Sequence, residues 1–196
     1  MGRTKEFDED AVLLKAMQLF WEQGYEKTSM QDLVSHMGIH KGSLYDTFGD
    51  KQSLYIRALK RYSDNVEQSF KRRIADTRSA KEAIRLLFEI AIHEREDIPQ
   101  GCFIVNTAVE LSRHDAEAKD CVRVDWARIE EVIHDLIVEG KHAGEFVETL
   151  DADQLAYFIN NALIGLRVMT KTITDRKKLN HIIEMNMSLL LPNWVK

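Results

Sequence analysis

Proline and glycine are scarce in this chain of 196 residues, which has two Pro and nine Gly. So few breakers leave little room for a turn-rich β-sandwich or a disordered tail. Two cysteines, Cys102 and Cys121, are too few for a disulfide framework, and a reducing cytoplasmic setting is the expectation. No run approaches the roughly 18 apolar residues of a membrane helix, so no membrane partner is expected. The opening Met1-Gly2-Arg3-Thr4-Lys5-Glu6 has no apolar stretch and no Ser or Thr at position 6. That predicts neither a secretory signal nor a myristoyl anchor. Catalytic signatures are missing as well: there is no G-x-S-x-G, no P-loop and no G-x-G-x-x-G, so neither an enzyme nor a cofactor is expected. His36 and His40 straddle a glycine turn, and Cys102 and Cys121 match no zinc spacing, so no metal site is expected.

What is present suits a globular protein, with 44% hydrophobic and 30% charged residues. The net charge of −5 would by itself argue against a nucleic-acid binder. It is unevenly spread. Residues 1–73 hold 12 Lys/Arg against 11 Asp/Glu, whereas residues 74–196 hold 15 against 21. The first part is near neutral, and a nucleic-acid contact there is permitted.

Helical periodicity runs from end to end. Val12, Leu13, Ala16, Met17, Phe20 and Trp21 recur at the spacing of one buried helix face, between an Asp8 cap and a Gly24 stop. Thr28-Ser29 precedes a short helix with Met30, Leu33, Val34 and Met37 inward, and Asp32 lies at capping-box spacing from Ser29. After Gly38 and Ile39 a second short helix is expected over 40–48, with Leu44, Tyr45 and Phe48 able to face inward. Asp50 then caps a long helix reaching about Arg73. Further helices are expected at about 79–95, 101–113, 115–142, 151–172 and 176–191, with a break at Gly140…Gly144 and an end at Pro192. His93-Glu94-Arg95-Glu96-Asp97 reads as a solvated helix end. The expectation is an all-α chain of about nine helices with no strands.

The informative stretch is Thr28–Lys51. Two short helices around a glycine turn form a helix-turn-helix, and Gly38 supplies the residue that tolerates positive φ. The outer face of the second helix carries His40, Lys41, Ser43, Asp46 and Thr47, while Gly42 removes bulk where a backbone approaches. Small polar donors and a cation on such a helix suit base edges and phosphates in a major groove. In order, Leu19-Phe20…Gly24-Tyr25, Thr28-Ser29-Met30-Gln31-Asp32-Leu33, Gly38-Ile39-His40-Lys41-Gly42-Ser43-Leu44-Tyr45…Phe48 and Lys51-Gln52-Ser53-Leu54 resemble the DNA-binding head of TetR/AcrR-family transcriptional regulators. The resemblance covers about a third of the chain by motif.

That resemblance implies a head over 7–67, with its helix-turn-helix at about 29–48, and an effector-binding and dimerisation domain over 75–196. The function it implies is a homodimeric repressor on a palindromic operator in double-stranded DNA, released by a small-molecule or reactive effector. Carried over by position, Ser29 caps its helix and touches phosphate, with Thr28 beside it. Lys41, Ser43 and Tyr45 lie at the DNA surface, and Lys51 binds phosphate. Gly42 lets the backbone approach, and His40 stands where the family varies. The Tyr45 ring is expected buried with its hydroxyl at the surface, and Phe48 in the core. Phe88, Cys102, Phe103, Asn106, Trp126, Tyr157, Phe158 and Asn161 are candidates for the effector pocket.

Cys102 has two readings. Gly101-Cys102-Phe103…Val105-Asn106…Ala108…Glu110 resembles repressors of this family that sense electrophiles or oxidants through a cysteine. Cys102 would sit at a helix start that can lower a thiol pKa, or it is a small core hydrophobe. Cys121 reads as packing. Leu155, Phe158, Ile159, Ala162, Leu163, Leu166, Ile182, Ile183, Met187, Leu189 and Leu190 on the last two helices are more apolar surface than one edge of a domain hides, and they point to a two-fold contact. The competing function classes are a helical small-molecule-binding protein or enzyme with a helix-turn-helix-like subdomain, and a DNA-binding module without a ligand.

Overall fold

The computed structural model describes residues 7–93 and 99–191, and among these it has nine helices and no strand. They are α1 (Glu9–Gln23), α2 (Met30–Met37), α3 (Lys41–Phe48), α4 (Lys51–Ala75), α5 (Ala80–Ile92), α6 (Phe103–Glu110), α7 (Ala116–His142), α8 (Ala152–Met169) and α9 (Arg176–Ser188). No helix among the described residues is long and apolar enough to cross a membrane. The opening Met1–Glu6, the charged Glu94–Asp97 and the expected stop at Pro192 lie outside the described residues.

The chain divides into two compact units, one of Met1–Val66 with Glu96–Val122 and one of Glu67–Arg95 with Arg123–Lys196. The first unit holds α1 to α3, α4 as far as Val66, α6 and the first turns of α7. A set of buried long-range pairs holds α6 there. The Tyr55 hydroxyl meets Thr107 Oγ1 at 2.8 Å, and the Phe103 ring stands edge-on to Tyr55 and Tyr62, with centroids 5.2 and 5.8 Å away. Edge-to-face rings at such distances add to their burial.

Within this first unit α1 buries Val12, Leu13, Ala16, Leu19, Phe20 and Trp21. Asp8 caps it, its Oδ1 accepting the Asp10 and Ala11 amides at 2.9 and 3.3 Å. The next two helices are short, and each is fixed by two inward residues, Leu33 and Met37 on α2 and Leu44 and Phe48 on α3. Asp50 caps α4 by accepting the Ser53 amide at 2.8 Å.

The second unit packs α5 against α8 and α9, and α8 against α9. Ala83, Ile84, Leu87 and Phe88 are buried on α5, and Ala156, Ile159, Leu163 and Leu166 on α8. Leu179, Ile183 and Met187 complete the face on α9. Arg85 clamps Glu184 with two parallel bonds of 2.7 and 2.9 Å. The expected break at Gly140…Gly144 falls after His142, the end of α7, with Gly144 at φ 71°; Gly140 itself stays inside the helix, where a Cβ would come within 2.2 Å of the Phe146 ring. Four expected helices end about one turn early, α5 at Ile92, α6 at Glu110, α9 at Ser188 and α8 at Met169, where the Thr170 hydroxyl donates to the Arg167 carbonyl at 3.1 Å.

Candidate nucleic-acid interface

The helix-turn-helix is built by its caps. Ser29 Oγ accepts the Asp32 amide at 3.1 Å, and Asp32 Oδ2 accepts the Ser29 amide at 2.9 Å, closing the capping box. The Ser29 hydroxyl and then its amide hold the Asp32 carboxyl below its usual range. Gly38 ends α2 in the left-handed region at φ 71°, its amide donating to Val34 O at 3.1 Å. His40 opens α3 from an extended conformation and makes no side-chain cap bond, and no acidic residue stands in the first turn. The first amides of α3 are therefore left without a side-chain acceptor at a helix end that favours anions.

The expected contact residues divide. Ser29, His40, Lys41, Gly42 and Tyr45 are exposed, and Ser43 and Lys51 are half-buried. A Cβ on Gly42 would meet nothing within 4 Å, so the surface is open there. Lys41 Nζ lies 5.9 Å from the Tyr45 ring centroid, and Lys51 Nζ lies 4.2 Å over the Tyr25 ring. Both cations lie within cation–π range of a ring face, Lys51 the nearer of the two. Asp46 is exposed on the same short helix and is its one acidic residue.

Two expectations are corrected. Thr28 has no exposed surface, and its hydroxyl donates to Gly24 O at 2.6 Å, so it braces the α1–α2 turn and offers nothing to a phosphate. Tyr45 is 44% exposed rather than ring-buried, because Leu44 and Phe48 already take the inward face of α3 and the next position turns about 100° away. Phe48 is buried as expected, with the Arg57 guanidinium 4.7 Å over its ring and Arg57 Nη1 donating to Thr47 O at 2.9 Å. Sequence reading assigns no role to Tyr25 or Arg57. The aromatic after Gly24 is the only local hint of a platform for Lys51.

The effector-pocket residues also divide. Cys102, Phe103 and Asn106 belong to the first unit and Phe88, Trp126, Tyr157, Phe158 and Asn161 to the second. Phe88, Cys102 and Phe103 are buried, and Asn106 and Trp126 are half-buried. Tyr157, Phe158 and Asn161 are exposed, which corrects their expected place in an interior lining: α8 turns Ala156, Ile159 and Asn160 inward instead. Cys102 is the N-cap residue of α6 and only 2% exposed, with the Tyr62 hydroxyl donating to its Sγ at 3.5 Å. Cys121 is half-buried, and burial pushes its thiol pKa up.

An exposed recognition helix, uncapped and set by a glycine turn on a helical body, defines a helix-turn-helix DNA-binding protein. Residues 12–58 match the family model described as "Bacterial regulatory proteins, tetR family", and residues 59–185 match "Tetracyclin repressor-like, C-terminal domain". The HTH-type transcriptional regulator YezE of Bacillus subtilis is 35% identical over 193 residues, 97% of this chain and 100% of that one. The HTH-type transcriptional repressor ComR of Escherichia coli is 30% identical over 198 residues, 100% of this chain and 94% of its own. A cysteine mutant of the TetR family regulator CifR, solved with 26 bp of operator DNA, superposes with a TM-score of 0.86. It is 26% identical, covering 96% of this chain and 100% of its own. The chain belongs to the TetR family, and it is a DNA-binding transcriptional regulator, not an enzyme.

Proposed function

We propose that this regulator is a cytoplasmic, homodimeric repressor that docks α3 of each copy into adjacent major-groove faces of a palindromic operator. The observation that carries the reading is the open first turn of α3, flanked by Lys41 and Ser43, in a fold shared with a regulator solved on operator DNA. Lys41, Ser43, Tyr45 and His40 face the bases and nearby backbone, Gly42 admits a close sugar–phosphate strand, and Ser29 and Lys51 take phosphates. Repression, rather than activation, is supported by the names of ComR and of DhaR from Mycobacterium, both transcriptional repressors.

Dimerisation is supported by the second unit's outer face. Tyr157, Phe158 and Val168 on α8 and Met185 on α9 are 58, 46, 48 and 60% exposed, an apolar surface that a second copy would cover. Release follows if a small-molecule effector binds the state with low DNA affinity better, by about 1–3 kcal/mol of coupling.

A gel shift on the DNA upstream of its own gene, at fixed salt and then with candidate ligands, tests the whole reading. A retarded band that a ligand dissolves supports it. Absence of any shift at low salt removes the repressor reading, and a shift insensitive to every ligand leaves the ligand-free DNA-binding module.

A further inference from the structure

The turn between α1 and α2 is held from a distant part of the chain. The two oxygens of the Glu110 carboxylate, at the last residue of α6, accept the backbone amides of Tyr25 and Glu26 at 3.1 and 2.9 Å. Successive backbone N–H groups aimed at one carboxylate form an anion nest, and charge-assisted bonds of this kind are stronger than neutral ones. Gly24 makes the approach possible, since a Cβ there would stand 3.0 Å from both carboxylate oxygens.

The turn does not need this carboxylate in order to close. Thr28 already closes it from within, through its hydroxyl to Gly24 O at 2.6 Å and its amide to Tyr25 O at 3.3 Å. What Glu110 adds is the placement of residue 25. The Tyr25 ring stands edge-on to Tyr55, centroids 5.0 Å apart, and carries the Lys51 ammonium 4.2 Å over its face. Tyr55 is itself tied to α6 through Thr107 at 2.8 Å. Backbone and ring of Tyr25 are thus both referenced to α6.

We propose that Glu110 is a positioning residue for the DNA-contacting start of α4: by fixing the α1–α2 turn it sets the Tyr25 ring, and the ring sets the Lys51 ammonium. The proposal rests on the reading of Lys51 as a phosphate contact. It makes the end of α6 a point at which DNA affinity is adjusted without touching DNA.

The test has one arm without DNA and one with it. In the free protein, NMR should show the Lys51 side-chain protons shifted upfield by the Tyr25 ring, and Glu110→Gln should lose that shift. The amide replaces one acceptor with a donor facing a backbone N–H. On the duplex that the wild-type protein enriches most from a random-sequence library, Glu110→Gln should weaken binding on the order of 5-fold, no more than Lys51→Ala does. In a Lys51→Ala background it should add nothing. Tyr25→Leu keeps both backbone bonds and should reproduce the loss, which tests the ring-to-ammonium step by itself; should Glu110→Gln lose helicity, Glu110→Asp, one methylene too short to reach both amides, takes its place.

An unchanged Lys51 shift in Glu110→Gln overturns the proposal. So does full affinity in Tyr25→Leu, or an equal loss from Glu110→Gln with and without Lys51. If Lys51→Ala itself binds as well as wild type, the phosphate-contact reading fails, and the DNA half of this proposal fails with it.

Discussion

Gly38 holds φ 71°, where an L side chain crowds its own carbonyl, while the nearest outside atom to an added Cβ is Lys15 Nζ at 4.0 Å. Gly38→Ala is therefore expected to cost about 1–2 kcal/mol from backbone strain with no clash, read as a lower denaturant midpoint at unchanged slope. A variant as stable as wild type would contradict the assigned turn. Such positions are legible because the requirement is local, as it is for the Ser29–Asp32 cap. Thr28 and Tyr45 are not legible in that way. Which side of Tyr45 faces in depends on Leu44 and Phe48 filling the inward face, and the Thr28 hydroxyl finds its acceptor only once α1 ends at Gly24. Cys102 is the same kind of case. Its 2% exposure and its bond from Tyr62 favour packing over sensing, because an electrophile must reach a thiolate. Alkylation of the native protein should be slow at Cys102 and faster at half-buried Cys121. Rapid modification of Cys102 in the folded protein would restore the sensor reading.

Helix by helix, the 3.6-residue period places the nine helices of the described residues, because each carries apolar residues at helical spacing and Gly or a capping residue near its ends. It fails to say which of two apolar faces points inward when a helix has both. On α8, Ile159, Leu163 and Leu166 are buried while Tyr157, Phe158 and Val168 are exposed, although all are large and apolar. Pairings between helices are equally invisible in the pattern. Arg85 and Glu184 join α5 to α9, and the bonds from Arg85 hold the Glu184 carboxyl below its usual value of 4.5. A folded-state pKa below the unfolded one gives stability that is present above about 4.5 and lost as pH falls through the folded value. Both side chains are partly exposed, so the pair is worth at most about 1 kcal/mol. Glu184→Gln should lower the denaturation midpoint slightly near neutrality, and the difference should shrink as pH falls below about 4.5. A difference that grows toward acid would have the wrong sign.

Across the whole molecule, the family resemblance reaches the head through its ordered motif, whereas the long-range pairs that hold α6 in the first unit are hidden. The Phe103–Glu110 helix folds with the head because of Tyr55–Thr107 and Glu110–Tyr25 contacts, separated by 52 and 85 positions. No spacing rule connects residues so far apart. The exposed rings on α8 carry the assembly prediction: light scattering should give a dimer, and Phe158→Glu should shift it to monomer, since a charge cannot be buried there unpaired. Assembly and DNA reading meet in one measurement, selection of duplexes from a random library by the wild-type protein. The account predicts enrichment of two inverted half-sites whose centres lie about one helical turn, 34–36 Å, or slightly more apart. No enriched sequence, or a single unpaired site, would contradict it.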